Sequence, residues 1–201
     1  MLQAHLMGDG TFFAALRGRA RADPFTTSPD RRAVFDSTNW PSARARVLVT
    51  SARDRAAEEH LDAATRGAGQ TWIPVQLEAR SLRVGPVIGP RRAVCMDCFD
   101  RRQEQHGRRN RTDVELEAAH DGGSPANGFT PAHVDMVFAV IERITSSDER
   151  LRAAASSLWR FGYSDLSVKQ ALVIPVSGCR RCDPDHGERE RSVQLSQYFP
   201  R

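Results

Sequence analysis

The chain has 201 residues, a formal net charge of +4 and a charged fraction of 27%. This length suits one domain of ordinary size, and the composition excludes disordered, collagen-like and low-complexity chains. No apolar run approaches the ~20 residues that a membrane span needs, and the N-terminus lacks the basic and apolar segments of a secretory signal. We therefore expect a globular, cytoplasmic protein without a membrane partner.

The first half of the chain alternates predicted strands and helices. Residues 2–7 form a short strand, and a helix begins at Thr11 after a glycine turn. Residues 18–43 read as a loop with short elements. Residues 47–50 predict a buried strand, residues 54–66 a helix with Gly67 as its C-cap, and residues 71–77 a strand in which Pro74 disfavours a central position. Such a strand–helix–strand unit favours an α/β fold with a mainly parallel sheet and flanking helices.

The second half contains one clearly predicted helix and a β hairpin. Apolar residues recur at helical spacing in residues 131–145, with Thr130 as the N-cap and Pro131 at the first helical position. Residues 157–163 and 168–176 predict two antiparallel strands. The polar residues 110–127 are expected to hold one short helix and a mobile loop, and residues 186–201 a polar tail.

The cysteines form two C-x-x-C hooks and leave no fifth thiol. Cys95 and Cys98 form the first hook, and Cys179 and Cys182 form the second. Two hooks can complete a tetrahedral four-thiolate site, so we predict one Zn²⁺; disulfides and an iron–sulfur cluster remain alternatives. The two hooks lie much farther apart in sequence than the ~15–20 residues of a compact zinc ribbon. Since the protein supplies all four ligands, the metal is expected to be structural and to join distant segments of the fold.

Arginines crowd around the first hook, and lysine occurs once in the chain, at position 169. Such a cluster is typical of a solvated helix face, but it can also meet phosphates or an acidic partner. The spacing of the cysteines differs from that of zinc fingers, so we do not expect nucleic acid. We predict that these residues contact a peptide or a partner enzyme: Arg91, Arg92, Arg101, Arg102, Arg108 and Arg109.

Two stretches that end in the cysteine hooks carry a family resemblance. The segment from Val84 to Cys98, Val-Gly-Pro-Val-Ile-Gly-Pro-Arg-Arg-Ala-Val-Cys-Met-Asp-Cys, and the segment from Val173 to Cys182, Val-Ile-Pro-Val-Ser-Gly-Cys-Arg-Arg-Cys, are similar to those of ThiF-like proteins. The chain most resembles the bacteriocin (Ocin-ThiF) branch, whose members accompany YcaO enzymes in making azole-modified peptides, thiopeptides included. The resemblance spans residues 1–185. It implies a ThiF-like fold, a YcaO-type enzyme and a precursor peptide as partners, and it allows a homodimer.

Departures from the family pattern shape the functional expectation. Gly8 and Gly10 remain from a nucleotide-binding glycine loop, but Phe13 stands at the place of the third glycine, so we expect a degenerate site that does not bind ATP. With all four cysteines committed to metal, no thiol is left as a nucleophile. The resemblance then implies a non-catalytic subunit of a cyclodehydratase complex that docks or presents a precursor peptide.

Two further interpretations of the sequence remain open at this point. One is an active ATP-dependent adenylyltransferase of the ThiF class, and the other is a zinc-containing nucleic-acid-binding protein. The chain also starts at its first strand, which leaves no room for the N-terminal winged-helix domain that many relatives use to recognise peptides. We therefore expect either that a separate protein supplies that domain or that this chain holds the peptide differently.

Overall fold

The computed structural model describes residues 2–20, 24–78, 80–90, 94–107 and 128–182. Within these ranges, one seven-stranded sheet is flanked by helices. The strands are β1 (Leu2–Gly8), β2 (Phe25–Ser28), β3 (Ala43–Thr50), β4 (Thr71–Leu77), β5 (Ser81–Val84), β6 (Ser157–Gly162) and β7 (Val168–Leu172). The α-helices are α1 (Gly10–Arg19), α2 (Arg55–Gly67), α3 (Met96–Gln105), α4 (Pro131–Thr145) and α5 (Asp148–Ala153); 3-10 helices span Arg31–Phe35 and Ser37–Asn39. None of the helices in the described ranges is long and apolar enough to cross a membrane.

The sheet has the order β2-β1-β3-β4-β5-β6-β7. Strands β1 to β4 pair in parallel, and β5, β6 and β7 continue the sheet through antiparallel pairings. Strand β6 thus points the same way as β1 to β4. The predicted α/β class with flanking helices is confirmed. The predicted C-terminal hairpin is the β6–β7 pair, but its second strand ends at Leu172 and not at residue 176.

Each face of the sheet carries its own apolar core. Along β1 and β3, Leu6, Val47 and Val49 pack in the core that α1 and α4 cover. Their neighbours in sequence, Met7 and Leu48, pack in a second core on the opposite face. Because successive side chains of a strand point to opposite faces, a strand that is buried on both sides becomes a continuous apolar run.

The structure corrects the end of α2. Gly67 lies inside this helix, and Ala68 is the C-cap. Gly69 has a positive φ of 65° and donates its backbone N–H to Arg66, while the N–H of Gln70 bonds the carbonyl of Thr65. This pair of bonds closes the helix in a Schellman motif, whose left-handed position is one that glycine fills without strain.

Pro74 lies within β4, where its carbonyl accepts a hydrogen bond from the N–H of Gly85. The N–H and C=O groups of one strand residue point to the same side of the strand. The carbonyl of Pro74 points to Gly85, so the N–H that proline lacks would also face Gly85 and not β3. The parallel pairing with β3 therefore loses no hydrogen bond at this residue.

The segment that leads to the first cysteine hook is held between two strands. Gly85 has a φ of 96°, and a Cβ at this residue would lie 2.5 Å from the carbonyl oxygen of Ser157. Ile88 exchanges backbone hydrogen bonds with Trp72, and Val87 donates to Ser157. These bonds hold the segment between β4 and β6 as far as Ile88. The predicted short helix in residues 110–127 and the predicted tail of residues 186–201 lie outside the described residues.

Candidate metal centre

The first hook lies at the N-terminus of α3. Cys95 is the N-cap residue and Cys98 belongs to the first turn, so one helical turn places both thiols on the same side. Both residues are buried in the second core, next to Val94, Met96 and Phe99. The unpaired N–H groups at a helix N-terminus favour negative charge, which stabilises a thiolate at this position.

The second hook follows β7. Gly178, with a φ of 67°, turns the chain, and the N–H of Cys179 bonds the carbonyl of Val176. The backbone N–H of Val176 in turn lies 3.3 Å from the Sγ atom of Cys98 and donates to it. Backbone N–H bonds of this kind fix the orientation of a sulfur ligand.

The four thiols converge on one point. The Sγ atoms of Cys95 and Cys179 are 3.6 Å apart, those of Cys98 and Cys182 are 3.5 Å apart, and all four lie within 4.8 Å of one another. These are free cysteines, because a disulfide would require a separation of about 2.05 Å. A tetrahedral ion with metal–sulfur bonds of ~2.3 Å separates its ligands by ~3.8 Å. The four residues predicted as metal ligands therefore form a cluster that could hold a metal ion.

The thiols do not ionise independently. Hydrogen bonding with Cys182 lowers the pKa of Cys95 to about 5, whereas burial raises the pKa of Cys98 to about 11. The hydrogen bond to Cys95 also raises the pKa of Cys182. A bound divalent ion would supply the positive charge that lets the other sulfurs ionise.

Arg181, inside the second hook, joins that hook to two helices. Its guanidinium lies 3.0 Å from the carboxylate of Asp97 on α3 and 3.2 Å from that of Glu59 on α2. All three side chains are well exposed, so each ion pair contributes at most about 1 kcal/mol. These contacts set the orientation of the hook more than its stability.

A buried charge network that the sequence analysis missed holds α3 against the sheet. Arg83 is almost completely buried in β5 and bonds Glu78 over 2.7 Å; Arg160 of β6 bonds the same carboxylate over 3.0 Å. Burial opposes ionisation of Glu78, but the two guanidinium groups outweigh it and hold its pKa below the usual value. Both arginines also lie over the ring of Phe99 in α3, Arg83 at 4.7 Å from the ring centroid.

A second ion group connects α3 with the loop after β3. Arg53 bonds Asp100 of α3 over 2.6 Å and Glu58 of α2 over 2.8 Å, and all three side chains are largely buried. Arg53 and Asp100 are 47 residues apart in the sequence. Because these partners are far apart in sequence, the sequence shows only that charged residues lie near apolar strand residues. It does not show which charges pair.

The arginines predicted to contact a partner fall into three groups. Arg101 is exposed on α3. Arg102 donates hydrogen bonds to the carbonyls of Ile174 and Pro175, both over 2.9 Å, and so braces the chain before the second hook. The other predicted contact residues, Arg91, Arg92, Arg108 and Arg109, lie outside the described residues.

The glycine loop lies where β1 ends, next to β3. Gly8 and Gly10 both have positive φ angles, and a Cβ at Gly8 would lie 2.0 Å from the carbonyl oxygen of Val49. Phe13, at the place of a third glycine, is buried between α1 and the sheet. Because β2 and β3 lie on opposite sides of β1, this loop is at a switch point of the strand order, where open α/β sheets bind ligands.

No protein-family model and no curated protein matches the chain. Solved structures do. The heterocyclase TruD matches with a TM-score of 0.63 and 16% identity, over 98% of this chain and 32% of that chain. A chain of the E. coli microcin synthetase McbBCD complex matches with a TM-score of 0.60 and 12% identity, over 89% of this chain and 68% of that chain.

A third match is E. coli MccB in complex with AMPCPP and MccA, with a TM-score of 0.52 and 17% identity, over 81% of this chain and 47% of that chain. The chain thus spans about a third of TruD and about half of MccB. At these identities the likeness concerns the fold. It confirms the fold that the resemblance implies: this chain has the fold that TruD, MccB and a chain of the McbBCD complex share.

Proposed function

We propose that the chain is a non-catalytic partner of a YcaO-type enzyme, and that it docks or presents a precursor peptide for azoline and azole formation. The observation that carries this proposal is the fold, which a heterocyclase and a microcin synthetase component share with nearly the whole chain. The peptide would belong to a thiopeptide-type or bacteriocin-type pathway. Its modification would take place in the cytoplasm, where thiols stay reduced.

We further propose that the ion at the four cysteines is Zn²⁺ and that its role is structural. Four thiolates in a tetrahedral cluster suit zinc, and they leave no coordination position for water or substrate. The ion would tie α3 to the segment after β7, so the two hooks would act as a staple within a domain of residues 1–185. Elemental analysis would distinguish zinc from an iron–sulfur cluster, which four thiolates can also hold.

The absence of catalysis in this chain is part of the proposal. The four cysteines of the chain lie together in a cluster that could hold a metal ion, so a bound ion would leave no thiol free to attack a substrate. The partner enzyme would then use ATP, and this chain would act by contact. A separate peptide-recognition protein would complete the complex.

The adenylyltransferase alternative is favoured by one observation. Gly8 and Gly10 keep the backbone geometry of a tight loop at the switch point of the sheet, and the similar MccB was solved with AMPCPP. The two functions differ in a simple binding experiment. An adenylyltransferase binds ATP and magnesium on its own, whereas a non-catalytic partner does not.

The proposed function is tested by binding measurements with three immobilised probes: a YcaO-type enzyme from the same gene neighbourhood, the precursor peptide encoded beside it, and duplex DNA. We expect the chain to bind the enzyme or the peptide, and to bind less tightly as salt shortens the Debye length below ~10 Å. Arg101→Ala is expected to slow association, since Arg101 is exposed. Binding to DNA alone would contradict the proposal and favour the nucleic-acid interpretation.

A further inference from the structure

Strand β7 forms an open edge of the sheet. The carbonyl of Ser167 accepts the N–H of Gly162 in β6, and the N–H of Val173 donates to the carbonyl of Ser156, just before β6. Lys169 and Ala171 stand opposite Arg160 and Leu158 in the same register. In an antiparallel pair every second residue bonds the neighbour, so the N–H and C=O groups of Val168, Gln170 and Leu172 point away from β6. Among the described residues these outward groups have no backbone partner.

The side chains of the same strand are uncovered as well. All five residues of β7 are exposed, and Leu172 and Val168 keep 65% and 52% of their surface. Val168 stands opposite Phe161 of β6, and Leu172 stands opposite Ser157. Both β6 residues are buried, so the two exposed side chains extend the face of the sheet that carries the first core. The opposite edge strand, β2, differs, since none of its residues is exposed.

The open edge has defined ends and a defined charge. At one end Asp165 closes the hairpin turn by accepting the N–H of Ser167. At the other end Arg102 occupies the carbonyls of Ile174 and Pro175. Between them, β7 contains one charged residue, Lys169, and no carboxylate. The edge therefore offers backbone hydrogen bonds, two exposed apolar side chains (Val168 and Leu172) on one face, and the positive charge of Lys169 on the other face.

These properties fit an extended peptide better than a second folded copy. A peptide that adds a strand gains affinity from main-chain hydrogen bonds and specificity from alternate side chains. A stable protein interface buries about 800 Å² on each partner, which a five-residue strand with few apolar side chains does not provide. Positive charge at Lys169 favours a carboxylate in the segment that pairs with it.

We propose that the open edge of β7 docks an extended segment of the precursor peptide, with apolar residues facing Val168 and Leu172 and an acidic residue facing Lys169. This inference rests on the proposed function, because it assigns a place on the chain to the peptide of that pathway. The peptide would become an additional strand of the sheet. Its acidic side chain would lie on the same face as Lys169 and Arg160.

The experiment uses the full metal-loaded chain and a fluorescein-labelled synthetic peptide that alternates valine with glutamate. Gln170→Pro removes an outward N–H without touching the bonds to β6, which is why proline is tolerated at sheet edges. We expect it to weaken binding by about tenfold or more, corresponding to about 1.4 kcal/mol. The matched control, Gln170→Ala, keeps the N–H and should bind within about twofold of the wild type.

Lys169→Glu provides a second variant in case the proline variant does not fold. It should weaken binding of the acidic peptide and reverse the sign of its salt dependence, because attraction becomes repulsion, and a valine–lysine version of the peptide should then bind better. Metal content and thermal unfolding of each variant are compared with the wild type. Loss of binding in Lys169→Glu together with restored binding of the basic peptide supports the proposal.

Three outcomes overturn the inference. The wild type does not bind the peptide, or Gln170→Pro and Lys169→Glu bind it as the wild type does. In the third outcome, sedimentation shows a concentration-dependent dimer that Gln170→Pro dissolves, so that the edge belongs to a second copy. Each outcome leaves the proposed function standing if the chain still binds a YcaO-type enzyme, so the failure of the two proposals is distinguishable.

Discussion

Within each cysteine hook the geometry is local, whereas the meeting of the two hooks is a long-range event. Two intervening residues bring Cys95 and Cys98 to one side of a helical turn, and this part was predicted from spacing alone. The 3.6 Å distance between Cys95 and Cys179 depends on β6 and β7 returning the chain to α3. The choice of all four cysteines was nevertheless possible from the sequence, because no other cysteine competes.

Replacing Cys98 by serine is expected to abolish metal binding and cooperative folding together. A structural zinc site supplies about 10–16 kcal/mol of apparent free energy, which matches or exceeds the total stability of about 5–15 kcal/mol of a typical domain. Elemental analysis and thermal unfolding measure the two effects. Met96→Leu, a buried change of similar volume beside the hook, should keep both the metal and a cooperative transition.

The wild-type measurement guards against the case in which the serine variant cannot be purified. Protein prepared without chelator should contain one zinc ion per chain. Metal-free wild type with oxidised cysteines, or a serine variant with its metal retained, would contradict the assignment.

Acidification is expected to destabilise the fold through His5. This side chain is buried in β1 beside Arg46 and hydrogen-bonds Thr26 over 2.9 Å and Ser28 over 3.2 Å. Burial, with a smaller contribution from Arg46, lowers its pKa from 6.5 to about 4. Between these pH values the unfolded chain binds the proton and the folded chain does not. The stabilisation present above pH 6.5 is therefore lost as the pH falls towards 4, by about 3 kcal/mol in total.

Urea unfolding at several pH values tests this expectation. His5→Gln keeps a polar side chain that cannot be protonated, so its stability should fall less steeply between pH 6.5 and 4 than that of the wild type. Acid effects on the metal site are common to both proteins and cancel in the comparison. Equal slopes would show that His5 does not carry the effect.

At the scale of elements, strong periodic patterns were predicted and helix ends were not. The apolar spacing of residues 131–145 identified α4, with Thr130 as its N-cap and Pro131 at its first position. The end of α2 was placed at Gly67, because a glycine after a periodic segment usually ends a helix. The structure uses Gly69, since only there do the bonds of the Schellman motif form. The short helix α5 has too few residues for a periodic signal.

One histidine couples the start of α4 to the hairpin. His133 is fully buried; its Nδ1 atom accepts the backbone N–H of Thr130, and its Nε2 atom donates to the carbonyl of Gly162 over 3.1 Å. His133→Ala removes both bonds and leaves the carbonyl of the half-buried Gly162 without this donor, so we expect a loss of about 2 kcal/mol in unfolding free energy.

Two variants calibrate this loss by chemical denaturation. His133→Gln can still reach back to the N-cap as in a capping box, so it should lose less than the alanine variant. Glu142→Ala, on the exposed face of the same helix, should change stability by no more than ~0.5 kcal/mol. An alanine variant as stable as the wild type would mean that the histidine does not anchor the helix.

At the scale of the whole molecule, the βαβ half was predictable and the polar contacts that join it to the four-cysteine cluster were not. Buried strands with continuous apolar runs indicate a sheet that is covered on both faces. The structure has one apolar core on each face of the sheet. The ion groups of Arg83 with Glu78 and of Arg53 with Asp100 depend on which helix lies over which strand. Local patterns do not contain that information, because the partners meet only after the sheet has formed.

ATP binding distinguishes a non-catalytic partner of a YcaO-type enzyme from an adenylyltransferase. If the chain is a non-catalytic partner, titration with ATP and magnesium should show no binding tighter than about 1 mM, a binding free energy weaker than about −4 kcal/mol. The physical reason is the bulk of Phe13, which lies between α1 and the sheet where a glycine would allow close packing. Gly10→Ala serves as a control. It should disturb the glycine loop, and its titration with ATP should give the same absence of binding heat as that of the wild type. Micromolar binding, or pyrophosphate exchange with a peptide, would favour the adenylyltransferase.

The most direct test of the proposed function is reconstitution of peptide modification with a YcaO-type enzyme and a precursor peptide from the same gene neighbourhood. Mass spectrometry follows the loss of one water per azoline formed, with enzyme alone, chain alone and both together, each with ATP. If the chain is a non-catalytic partner, only the combination with this chain should modify the peptide efficiently, and the chain alone should consume no ATP. Modification at an undiminished rate without the chain, or by the chain without the enzyme, would contradict the proposed function.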